Sequence, residues 1–397
     1  MALSSLTCPP PVRKAARSPQ LDFALLEAAV EAFDGGRHLE ALHKVFRHLL
    51  PELTVPEGPS GSLSFAQGSS RVVVKWDERE LTVAVPMVRL PAGGGATAAL
   101  RFLLTKLSGS GQLHQPRLHG DDVVLEFRDR ITRLHPIKVI EVLRRMPVEA
   151  DNNDDFMIDQ FGAAPLDREP PVPLDADERA RAEVIWRTHW SEVEELVKEA
   201  QRKRSLFFLN EVTAYAFYHV RHAVPLGGSL AARLSEAADA FNDTDEDPNK
   251  REAALTKCAK TMRSVSADEL GKNLGHARYA ISPLADGTPR VLGQHLGAGD
   301  YVENVERARA TGKIMEAAVA LFSTYNFLLA RFSWPEHVEA GLLEGLAHAS
   351  QKPWREAAAA LTSQGKALVE AFQDDEDGDD EAPDSGGEGE QGAEASA

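Results

Sequence analysis

Few side chains in this sequence sit at spacings that chemistry would need. His219 and His222 stand three apart in a run that also carries Glu211, Tyr215 and Tyr218, so one helix face offers two imidazoles to a metal or a ligand. A plainer pattern fits the same positions. Phe208, Val212, Tyr215 and Phe217 pack, and the histidines lie near the helix C-terminus, where an imidazolium suits the helix dipole. A di-iron carboxylate bundle needs Glu-x-x-His on two helices, and only Glu40 with His43 has that spacing. Asp151, Asn153 and Asp155 alternate as in a calcium loop. Phe156 and Gly162, however, stand where such a loop needs its turn glycine and its bidentate glutamate, so helix capping or a solvated turn is the reading. Asp243, Asp245 and Asp247 fail in the same way at Pro248 and Ala254. Gly93, Gly94 and Gly95 precede a helix without the Lys-Ser or Lys-Thr of a phosphate loop, and read as a flexible turn. Cys8 and Cys258 lie far apart in unlike contexts, with neither disulfide nor zinc spacing. No hydrolase motif is present. The sequence therefore assigns no catalytic, cofactor-binding or metal-binding residue.

The elements that would position a site show two regimes. From Arg71 to Phe161 the hydrophobic period switches between two and helical. Val72, Val74 and Trp76, then Leu81, Val83, Val85 and Met87, alternate about the polar turn 77–80, which predicts a hairpin. Leu63 to Phe65 adds a short first strand. Ala96, Leu100, Leu103, Leu104 and Leu107 predict a helix, and a second hairpin follows about His119, Gly120 and Asp121, with Pro116 marking an edge strand. A closing helix begins at Pro136. Helices are also predicted over 21–33 and 37–50. From Asp175 onward only helical patterns occur, the longest over 300–332, and 281–299 reads as a long loop. The expected fold class is thus α+β, a small antiparallel sheet with flanking helices, followed by a separate all-α helical domain and an acidic tail.

The expected domains are a Pro-rich disordered lead (1–20), an α+β domain (21–164), a stiff linker (165–174), a helical domain (175–373) and a disordered tail (374–397). Of the net charge of −17, eleven acidic residues with no Lys or Arg lie in that tail, so the body is only mildly acidic. No basic stripe supports nucleic-acid binding, and no apolar run supports membrane insertion. A cytoplasmic location is the expectation.

The order helix, three strands, helix, hairpin, helix over about 37–163 resembles YbjN-like and type III secretion chaperone-like domains. The resemblance implies a domain without chemistry that dimerises and holds apolar segments of a partner protein. With it comes the expectation of a protein partner and a homodimer, with Trp76, Val83, Leu103 and Leu104 as partner-binding residues. Leu103 and Leu104 are adjacent, so one of them points outward. The alternative is an enzyme or small-ligand sensor with a pocket in the helical domain, which a polar cluster buried in that bundle would favour.

Overall fold

The computed structural model describes residues 3–14, 22–107, 112–242 and 247–379. Helices α1 (Phe23–Asp34) and α2 (His38–Leu49) open the ordered body. Strands β1 (Gly61–Gly68), β2 (Ser70–Trp76) and β3 (Glu80–Arg89) follow, then α3 (Gly94–Leu107), β4 (Gln115–His119), β5 (Asp122–Arg130) and α4 (Pro136–Phe161). The strands pair antiparallel in the order β4-β5-β3-β2-β1, with Leu63 opposite Val74, Val74 opposite Val83, and Val83 opposite Phe127. Paired residues share a face, so this register gathers the alternating apolar residues onto one side of the sheet. Helices α2, α3 and α4 cover that side with Phe46, Leu103, Leu143 and Met146, which are buried in one core with the strand residues. Gly61 is needed there, because a Cβ would come within 2.3 Å of the Trp76 ring.

Three expectations for this half change. β1 is twice the expected strand and more, 8 residues rather than Leu63 to Phe65. α4 does not stop before the acidic residues but continues through Pro147 for 26 residues, ending at Gly162 in the left-handed conformation (φ 68°). Asp151, Asn153, Asp154 and Asp155 therefore lie inside a helix. Trp76 and Val83 belong to the covered face and are buried.

The second half is largely helical, as expected. After β6 (Ala164–Pro165) come α5 (Ala176–Lys203), α6 (Leu206–Ala223), α7 (Gly228–Asn242), α8 (Pro248–Arg263) and α9 (Ala267–Lys272). Two short strands, β7 (Arg278–Tyr279) and β8 (Ala285–Asp286), lead to α10 (Pro289–Leu292) and a π-turn, Gly293–Gly297. The remainder is α11 (Asp300–Ala310), α12 (Ile314–Arg331), β9 (Phe332–Ser333), α13 (Glu336–Ala349) and α14 (Trp354–Asp379). Asp175 closes a capping box with Glu178 at the start of α5. The stripe expected over 300–332 is split at Gly312, whose φ of 79° a helix cannot accommodate. α12 is buried on nearly all sides and forms the bundle axis. The 281–299 stretch is not an open loop, since α10 and the π-turn pack on α14.

The lead and the linker are both tied down. Leu6, Cys8 and Val12 are buried in the helical core, because an extended segment lays three apolar side chains into it without any helical or strand period. Backbone bonds fix it: Val12 N donates to Ala223 O at 2.8 Å and Gln351 N to Leu6 O at 2.7 Å. Residues 1–2 and 15–20 of the expected disordered lead lie outside the described residues. In the linker, Glu169 N donates to Ser69 O, and Val172 bridges to His276. The two halves also share a sheet. β7 pairs with β1 at Gln67 and Gly68, and the Gln67 amide donates to Ile281 O at 2.5 Å and accepts from Ile281 N at 3.1 Å. Ile281 is buried in the core of the first half. The junction around the 165–174 linker is thus continuous. Of the expected tail, 374–379 continue the α14 backbone and 380–397 lie outside the described residues.

Candidate functional site

On α3 the helix turn separates the two adjacent leucines. Leu103 is buried and Leu104 is 61% exposed. Phe102 stacks on Phe156 of α4 at 4.6 Å, which fixes the rotation of α3 and turns Leu104 outward. α3 packs along β4, the outermost strand. Leu118 pairs with Val123 and Pro116 with Leu125, so both lie on the helix-covered face at its margin. Leu118 is 51% and Leu113 40% exposed. The margin between α3 and β4 thus carries Leu104, Leu113 and Leu118, with Arg101 and Lys106 exposed on α3. Pro116 has no N–H, which blunts the strand edge for addition of another strand. At the opposite edge β7 covers the end of β1. Of the four expected partner-binding residues, Leu104 alone stands at the surface. Trp76 packs against Phe46 at 5.3 Å and His43 at 5.8 Å, and with Val83 and Leu103 it holds the module together.

A polar cluster lies inside the bundle. His189 from α5 donates at Nε2 to Ala216 O at 2.9 Å, and its ring lies 4.9 Å from that of His219. His219 Nδ1 meets Asn326 Oδ1 at 2.9 Å, while Asn326 Nδ2 donates to Phe322 O at 2.7 Å. That amide orientation makes Oδ1 the acceptor, so Nδ1 of His219 carries the proton and Nε2 is a bare acceptor. Glu192 accepts from Thr7 N at 3.0 Å and from the Tyr215 hydroxyl at 3.3 Å. Burial lowers the pKa of His219 to about 4 and of His222 to about 3 and raises Glu192 to about 7. The expected imidazolium at the helix end is corrected: these rings are buried, and desolvation keeps them neutral. Burial likewise pushes the Cys8 thiol far up, so it is no ready nucleophile. His189 Nδ1, His219 Nε2 and His222 Nε2 are buried without a hydrogen-bond partner among the described residues. His222 also lines a cavity.

A third cluster ties the linker to the first half. Ser69 N donates to Asp151 Oδ1 at 2.5 Å and Ser69 Oγ to Asp154 Oδ2 at 2.9 Å. Arg168 reaches Asp155 at 2.6 Å and Asp154 at 3.4 Å. Gly68, with φ of 67°, turns the chain beneath Asp151, where a Cβ would lie 2.3 Å from the carboxylate. Burial raises Asp154 to about 8, against the pull of Arg168. The i, i+3, i+4 spacing of Asp151, Asp154 and Asp155 was the available signal for one helix face. Among the described residues no set of three His, Cys, Asp or Glu is placed to hold a metal, and no helix is long and apolar enough to cross a membrane. In comparison with known proteins, no family model, curated protein or solved structure matches the chain.

Proposed function

We propose that this chain is a non-catalytic protein-interaction protein, chaperone-like or adaptor, that seats an apolar segment of a partner protein on the margin between α3 and β4. One observation carries the reading: Leu104 and Leu118 are each more than half exposed beside the outermost strand of the sheet. Large apolar side chains clustered at a surface and rimmed by charge mark interaction sites more often than inert surface. Arg101 and Lys106 suit a segment with acidic flanks. Because Pro116 blunts the edge, side-chain burial rather than an added strand supplies the affinity. The resemblance to secretion-chaperone-like domains supports the same reading, whereas the polar cluster buried in the bundle favours the second one, a small-ligand pocket in the helical domain.

The test is a titration of a permanently unfolded polypeptide, such as reduced and carboxymethylated lactalbumin, with the full chain. Saturable binding that is lost in Leu104→Asp and Leu118→Asp, at unchanged thermal stability, is the expected result. Equal binding by the variants contradicts the assignment of this margin. Light scattering on the same samples reads whether a second copy of the chain occupies the margin instead.

A further inference from the structure

A cavity of about 40 Å³ lies between residues 11–14 and the α6, α12 and α13 region, lined among others by Arg13, Lys14, His222, Ser333, Trp334 and Glu339. A single water needs roughly 10–15 Å³ of such volume, so the space admits about three waters or one small polyatomic ion. We propose that it is a binding site for a small oxyanion, of phosphate or carboxylate type, held by the Arg13 guanidinium, the Lys14 ammonium and an N–H at Nε2 of His222. The His222 side chain is buried to more than nine-tenths, and its Nε2 has no partner among the described residues. A buried imidazole nitrogen without a partner costs stability, and in the Nε2–H tautomer an oxyanion in the adjoining cavity supplies its acceptor. Arg13 donates to Arg221 O, which uses one of its five N–H groups. Lys14 stands 3.9 Å from Glu178 and is otherwise exposed.

The surrounding charge favours an anion. Glu339 brings one carboxylate to the lining, against Arg13 and Lys14. Arg221 lies close behind, and after burial it is the neighbouring Arg331 and Arg13 that lower its basicity. An anion between Arg13 and His222 relieves that repulsion, as guanidinium–oxyanion bonds are among the stronger hydrogen bonds available. The extended lead is what places Arg13, through the bonds of Val12 N and Arg13 N to Ala223 O. The site thus exists only while the lead is docked.

The experiment melts the full chain in increasing phosphate and, separately, acetate, each against chloride at matched ionic strength, with isothermal titration of the same anions. A saturable rise in Tm with phosphate assigns the phosphate type, and one with acetate alone assigns the carboxylate type. In Arg13→Gln and in Lys14→Gln the apparent affinity falls by roughly tenfold, the loss of one charge-assisted bond. Lys14 is largely exposed, so its variant keeps the test open if Arg13→Gln fails to fold. Identical melting in chloride and both oxyanions, or an oxyanion response in Lys14→Gln equal to that of the unaltered chain, overturns the proposal.

Discussion

The buried ionisable side chains make opposite demands on pH. His219 and His222 have folded pKa values of about 4 and about 3, below the ordinary imidazole value of 6.5. The unfolded chain therefore binds more protons than the folded one between about pH 6.5 and 3, and stability falls as pH drops through that window. Each unit of depression corresponds to about 1.4 kcal/mol, so the two rings together account for several kcal/mol lost by pH 4. Asp154 acts the other way. Its folded pKa of about 8 lies above the usual 3.8, so the folded state binds the extra proton, and this contribution is lost as pH rises from about 4 to 8. Thermal melts across pH 4 to 9 are expected to show a maximum near neutrality. Asp154→Asn is expected to flatten the alkaline limb and to steepen the acid limb, where Asp154 opposes the histidines; an unchanged alkaline limb would remove Asp154 as its cause. The histidines were legible in the sequence as a pair on one helix face. Their burial was not, because α12 and the lead that enclose them come from distant parts of the chain.

At the scale of elements, strands and helices with a full hydrophobic period were readable, and short or aperiodic pieces were not. β2, β3 and β5 alternate over seven to ten residues, enough to show a period of two. β7 has two residues, and no pattern of that length distinguishes a strand. The lead carries Leu6, Cys8 and Val12 among prolines, a composition that reads as disorder although each of the three side chains fills the bundle core. Leu6→Ala is expected to cost about 2–5 kcal/mol, the range for a fully buried leucine, whereas a solvated lead would show no loss in a urea melt. Gln67→Ala is expected to destabilise by about 1–3 kcal/mol, because it strands the buried N–H and C=O of Ile281. Trp76 and Val83 looked like contacts because sequence alternation names two faces without saying which one the helices cover.

At the scale of the whole molecule, two cores meet across a shared sheet edge and the ion pair of Arg144 with Asp286 at 3.1 Å, and the Ser69–Asp154–Arg168 network holds the linker to the first half. Coupling of this kind predicts one cooperative unfolding transition for the full chain. A fragment 21–164 lacks β7 and Ile281, so it is expected to melt well below the intact protein; two separate transitions in the full chain would argue for independent halves. The partner surface proposed above is the α3–β4 margin, where Leu104, Leu113 and Leu118 are exposed. Hydrogen exchange of the full chain, with and without the unfolded polypeptide, tests that claim most directly. The account predicts new protection confined to residues 94–119, whereas protection elsewhere, or none at saturating polypeptide, would contradict it.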